Sequence, residues 1–194
     1  MKNKWKFLFL ALLSLNLLFM CILIFYLTAP AVDKPLKNKA PDTDAVSFKV
    51  QSNKGDLDTV VNHYLQKENE GVIDYQIHLD EFVNLYGTFP ILNQNIEMKL
   101  SFAPKALENG DLVLKEEEIS LGRFHLPSAT VLQVVDDMYQ FPDWVTIQPN
   151  KNQVYVDLQQ LKLKSGIQIK ANQFDLKKDQ ISFTLLVPIE SKNP

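Results

Sequence analysis

The chain has 194 residues, room for one ordinary domain and a short appendage, and its 20 Lys and Arg against 23 Asp and Glu leave a formal charge of −3. That balance excludes the strong basic excess of a dedicated nucleic-acid binder. A single cysteine excludes an intrachain disulfide framework and a Cys-rich zinc site.

The first element is apolar. Between Phe7 and Leu27 only Ser14 and Asn16 interrupt the hydrophobic run. A helix of this length rises roughly 30 Å, the thickness of a bilayer's hydrocarbon core. Lys2, Lys4 and Lys6 precede it and no acidic residue appears before Asp33. Positive flanks stay on the cytoplasmic side, so residues 1–6 are expected inside and everything after the 7–27 anchor outside. Trp5 and Tyr26 bracket the run, where amphipathic rings favour the headgroup region. The rival reading is a cleaved signal peptide with Ala29-Pro30-Ala31 as its site, although an h-region usually ends at about 15 residues. Cys21 follows Met20 deep inside the apolar run, where a lipidation signal wants a small residue, and reads as a small apolar side chain facing lipid.

Residues 28–45 carry Pro30, Pro35 and Pro41 among lysines, aspartates and small residues. Such a stretch buries little apolar area and reads as a stiffened spacer. The folded, β-rich part is expected over 46–188, with 189–194 as a tail.

Most of that part alternates with period two, the mark of strands with one buried face. Val46, Phe48 and Val50 open the pattern. A helix follows, with Leu57, Val60, Val61, Tyr64 and Leu65 as its apolar stripe, Asp56 as its cap and Gly71 beyond its polar tail. Strand faces then come from Ile73, Tyr75, Ile77 and Leu79, with a register change near Glu81–Phe82, and from Ile96, Met98, Leu100 and Phe102. A second helix is expected from Pro127-Ser128 to about Gln140. It turns Val131, Leu132, Val134, Val135 and Met138 inward, and Phe141-Pro142 stops it. Alternation resumes at Val154, Val156 and Leu158, at Leu161 and Leu163, at Ile167 and Ile169, and at Ile181, Phe183, Leu185 and Val187. Turn signals at Asn109-Gly110, Pro149-Asn150, Ser165-Gly166 and Lys177–Gln180 separate these runs. Short connections imply antiparallel neighbours. The expected fold is α+β, a curved and mainly antiparallel sheet with two short amphipathic helices behind one transmembrane helix.

A lysine-flanked anchor, a Pro-bearing spacer and an amphipathic helix thus precede a β-rich stretch. Within it stand Ile119-Ser120-Leu121-Gly122, Leu126-Pro127, Phe141-Pro142-Asp143-Trp144-Val145, Phe174-Asp175-Leu176 and Ile181-Ser182-Phe183. Over nearly its whole length the chain resembles the YpmS-like family of membrane-anchored extracytoplasmic proteins of Gram-positive bacteria. The shared motifs are structural punctuation, so the resemblance implies a location in the cell envelope and carries over no catalytic or binding residue.

Chemistry is sparse. His63 falls between apolar helix positions, His78 points away from the face of Ile77 and Leu79, and His125 adjoins a strand-to-helix junction, so each reads as solvated or capping. H-E-x-x-H, G-x-S-x-G and S-x-x-K are missing from the exported part. The run Glu116-Glu117-Glu118 alternates faces and suits an edge strand that resists pairing. Asp136 and Asp137 read as solvated, and no EF-hand spacing surrounds them. The six glycines are too scattered for a phosphate-cradling loop. No catalytic residue, metal ligand or cofactor is therefore expected.

The more informative feature is apolar. Met138, Tyr139, Phe141 and Trp144 cluster where the second helix ends. With Val60, Val61, Tyr64 and Val135 they form the expected lining of an apolar groove suited to an acyl chain. The competing reading is that they fill the core. Two functions follow. One is a non-catalytic extracytoplasmic module that binds a lipid or lipid-linked envelope component in a fold resembling tubular lipid-binding wraps, an analogy of shape alone. The other is an envelope interaction protein that needs no small ligand. Both have the membrane as a partner, and neither involves nucleic acid.

Overall fold

The computed structural model describes residues 2–28, 33, 45–68, 75–91, 94–123, 126–138, 141–161, 163 and 166–189. The chain divides into two units, Met1–Ala31 and Val32–Pro194. The first is a single helix, α1 (Lys2–Thr28). Its stretch Lys4–Ile22 is long and apolar enough to cross a membrane, a property that an anchor and a signal sequence share. Its described apolar side chains between Phe7 and Phe25, Leu23 apart, are exposed, which is what lipid-facing residues require.

The second unit is α+β. In chain order it contains β1 (Ala45–Ser52), α2 (Lys54–Glu68), β2 (Tyr75–Leu79), β3 (Val83–Ile91), β4 (Gln94–Ala106) and β5 (Leu112–Leu121). Next come α3 (Ser128–Met138), β6 (Val145–Gln148), a 3-10 turn at Pro149–Lys151, β7 (Gln153–Val156), β8 (Gln168–Asp175) and β9 (Gln180–Pro188). The strands form two antiparallel sheets, ordered β1-β9-β8 and β2-β3-β4-β5-β7-β6, and neither closes on itself.

Alternation decides what the larger sheet buries. Met98, Leu100 and Phe102 of β4 share one face with Val83 and Leu85 of β3 and with Ile119 and Leu121 of β5. Onto this face packs α3 through Val131, Leu132 and Val135, together with Leu176 and Ile181 from the smaller sheet. Leu100 and Leu132 are fully buried at its centre. A second cluster, Leu112, Leu158 and Ala171, joins the β4–β5 hairpin to β8.

Several expectations need correction. Val134 is exposed, because the α3 stripe that meets the sheet is 131, 132 and 135. The cap of α2 is Asn53 and not Asp56. Asn53 Oδ1 accepts the Asp56 N–H at 2.9 Å while Asn53 Nδ2 donates to Asp56 Oδ2 at 2.7 Å, a reciprocal capping pair. Leu161 and Leu163 do not lie on a strand. A chain of tight turns links Leu163 N–H to Leu161 C=O and Gly166 N–H to Leu163 C=O. The expected register change at Glu81–Phe82 is the β2–β3 hairpin turn, closed by Phe82 N–H donating to Asp80 Oδ1 at 3.0 Å. The spacer apart from Thr28, Asp33 and Ala45, along with Gly71, Ile73, His125, Tyr139 and the tail beyond Ile189, lies outside the described residues.

Candidate functional site

Asp111, Tyr155 and Asp157 are buried. The Tyr155 hydroxyl donates to Asp111 Oδ2, which also accepts from Asn109 Nδ2 at 2.6 Å. Gln159 Nε2 bonds the Asn109 carbonyl oxygen at 3.1 Å. Burial, reinforced by the Asp111 carboxylate, pushes the Tyr155 phenol from 10.0 up to about 12. Asp157 accepts the Gln160 N–H at 3.1 Å and gives its own N–H to the Trp144 carbonyl at 2.8 Å. These bonds fasten the β4–β5 turn to β7 and to the loop after it. Among the described residues, no group of three or more His, Cys, Asp or Glu gathers where it could hold a metal ion.

The glutamate run is separated by a β-bulge. Ser101 pairs with Glu118 and Phe102 with Glu116, leaving Glu117 as the extra residue. Glu116 consequently turns to α3 and accepts from Ser128 Oγ at 3.0 Å, whereas Glu118 meets Lys99 Nζ at 2.9 Å. That bond raises the Lys99 ammonium above its usual value. β5 is interior over 112–115, where β7 pairs with it, and becomes an edge beyond. Glu116 N–H still bonds the Asn152 carbonyl at 2.9 Å, so Glu117 and Glu118 are the charges that stand where β5 has β4 on one side only. His63 is exposed, and His78 Nδ1 lies 3.3 Å from Asp58 Oδ1.

Among the described residues, two clefts stand out. One, about 460 Å³, lies between β4 and β8 and is lined by Glu81, Lys105, Glu117, Asp175 and Lys177 beside Phe82 and Phe174. The Phe82 ring carries Lys177 Nζ at 5.4 Å from its centroid. The other, about 490 Å³, lies on the polar face of the larger sheet around Gln76, Tyr86, Glu97 and Lys99. Neither is lined by any of the eight residues expected to form an apolar groove.

Those eight are dispersed in burial. Val135 is core and Val61 is half-buried, while Val60 is 62% exposed. Phe141 is exposed and Trp144 half-buried. Tyr64 and Met138 have described backbone only, and Tyr139 is outside the described residues. The face of α2 toward the sheet carries polar groups that the stripe reading passed over. Asn62 accepts the Ile77 N–H at 3.0 Å and donates to the Ile77 carbonyl at 2.6 Å, and Asp58 Oδ1 accepts the Leu79 N–H at 2.7 Å.

Among the described residues, an open apolar surface lies on the three-stranded sheet. Its register places Val46 opposite Val187, Phe48 opposite Leu185 and Val50 opposite Phe183, all on one face. Toward β8 this face is covered: Ala171 and Ile181 are buried, and Phe174 meets Phe183 edge-to-face at 6.0 Å. Toward β1 the cover ends. Val46 is 43% exposed, Phe48 53% and Val50 39%. The alternation of β1 was legible in the sequence, but its lack of cover was not, because alternation reports a face and not what lies over it.

A family model described as an uncharacterized protein conserved in bacteria (DUF2140) matches residues 3–187. The chain belongs to this family. The uncharacterized protein YpmS of Bacillus subtilis (strain 168) is similar to it, with 30% identity over 186 residues that cover 96% of this chain and 98% of YpmS. The resemblance drawn from the sequence motifs is thus confirmed. No solved structure matches the chain. The DUF2140 match names no ligand or reaction, so function is argued from the half-covered sheet face.

Proposed function

We propose that this protein is a membrane-anchored, non-catalytic extracytoplasmic module that takes up the acyl chain of a lipid or lipid-linked envelope component. The observation that carries the reading is the continuity of one apolar sheet face from the buried core at Ile181 to the exposed side chains of Val46, Phe48 and Val50. An acyl chain laid along β1 and β9 gains about 0.8 kcal/mol for each CH₂ removed from water. Scattered exposed apolar residues are ordinary, whereas three in succession on one strand face, continuous with the core, form a surface for an apolar ligand.

Two further points support it. Lys2, Lys4 and Lys6 ahead of α1 favour an orientation with the body of the chain outside. The buried acid–phenol pair, which has the composition of catalytic machinery, has its bonds filled by Asn109 and Gln159, so a non-catalytic role is the simpler reading.

Native mass spectrometry of the chain extracted from its own membranes tests the proposal. A bound amphiphile is expected, lost in Phe48→Asp, while circular dichroism remains that of the parent. A chain of bare mass, or one whose amphiphile survives Phe48→Asp, contradicts it.

A further inference from the structure

The two sheets present four full edges, and three of them carry a device against pairing with another chain. The backbone of β2 is bonded by Asp58 and Asn62 of α2, which stand where a neighbouring strand would. β6 has four residues and runs into Pro149, too short an edge to template a partner. On β8 the register breaks between Ala171 and Gln173, and the Ala171 N–H is already bonded to the Gly110 carbonyl at 2.7 Å. β1 has none of these. It keeps unbroken register with β9 over all eight residues, carries one charge, Lys49, and no other described element pairs along its outer edge.

We propose that β1 is a self-association edge, pairing antiparallel with β1 of a second copy so that Phe48 faces Phe48 of the partner subunit. The sequence of the strand suits a second copy of itself, and the length of overlap favours one register. A twofold axis at Phe48 sets Val46 against the partner's Val50 and Val50 against the partner's Val46, while Lys49 meets the partner's Ser47. Apolar groups then meet apolar groups across the seam, and charge meets a hydroxyl. Moving the axis to Lys49 stacks two ammonium groups. Moving it to Ser47 still sets Val46 against Phe48 but pairs only residues 45–49, five against the seven of the axis at Phe48. The axis at Phe48 is therefore the one that joins the longest overlap to cross-strand complementarity.

The result is a six-stranded sheet across two copies, with the two apolar faces merged into one. Residues 29–44 connect α1 to β1 in each copy and span at most about 55 Å when extended. In the chosen register the two Ala45 positions lie only about 20 Å apart, so both leaders reach a common bilayer. Confinement of both copies to that bilayer raises their effective concentration.

The test uses the full chain in vesicles, in a Cys21→Ser background, because Cys21 is the sole native thiol. Under mild oxidation Phe48→Cys is expected to form a covalent dimer, since self-paired positions bring Cβ atoms to about 4.5–5.5 Å. It should crosslink faster than Val60→Cys, an equally accessible site on α2. Ser47→Cys and Lys49→Cys copies should crosslink to each other and only slowly to themselves. Phe48→Lys, at a half-exposed side chain, should keep the circular dichroism of the parent and, with the full chain taken into detergent, sediment as a monomer where the parent sediments as a dimer. Equal rates at 48 and 60, faster self-crosslinking at 49 than at 48, or a Phe48→Lys chain that is still dimeric would each overturn the proposal. It fails independently of the acyl-chain reading, which a monomer satisfies equally well.

Discussion

Single residues fix the joints of this molecule. The β4–β5 turn is fastened by Tyr155 to Asp111 and by Gly110 to β8. Gly110 has φ +92, and a Cβ there would lie 2.7 Å from Lys170 Cβ. Gly110→Ala combines an unfavourable backbone region with that overlap, and should cost on the order of 2 kcal/mol or more in urea unfolding. Tyr155→Phe leaves the buried Asp111 carboxylate short of a donor, and should cost about 1–3 kcal/mol near neutral pH. The titration has a definite sign. The folded phenol lies above its unfolded value of 10.0, so its contribution is whole below pH 10 and disappears as pH rises through about 12. Unfolding midpoints across that window should fall less steeply in Tyr155→Phe than in the parent. The surface carboxyls of Asp80 and Asp175 act in the opposite range. Hydrogen bonds from the Phe82 and Lys178 N–H groups hold both below the usual carboxylate value, so whatever they contribute is lost as acid protonates them.

At the scale of elements, α2 is a clamp on a sheet edge as much as a core helix. Asp58 and Asn62 sit one turn apart, and together they satisfy two N–H groups and one C=O of β2. Asn62→Leu removes the bonds to Ile77 and opens that edge. Faster amide exchange at Ile77, with the α3 core still protected, is the expected outcome of a hydrogen-exchange measurement. The same region shows what the sequence could and could not reveal. Strands with clean alternation, β1, β4 and β9, are readable from period two alone. β3 is hidden by Gly87 and Pro90 within its span. β5 is hidden because its apolar start, Leu112-Val113-Leu114, runs into glutamates whose faces are reset by a bulge. On α2 the apolar stripe pointed to Val60, yet the sheet edge needs partners for its backbone, and Asp58 and Asn62 hold the facing positions. The five expected groove residues whose side chains are described differ in burial for a related reason. Val135 was required by the core, and local sequence carries no record of which side chains the distant β4 would claim.

Over the whole molecule, the first and last strands of the second unit pair with each other, and this pairing builds the sheet whose apolar face stays half open. The first strand of this unit is also the one with uncovered Val46, Phe48 and Val50. Removing residues 2–28 should move the protein from the membrane fraction to the soluble fraction without unfolding the rest, as fractionation and circular dichroism would report. The most direct measurement is the fluorescence of an environment-sensitive dye attached at Val46→Cys in the Cys21→Ser background, titrated with a fatty acid or short-chain phospholipid. The dye should shift to the blue and brighten saturably at Val46, with no change for the same dye at Val60→Cys on α2. Identical responses at the two positions, or none at either, would contradict an acyl-binding face on β1.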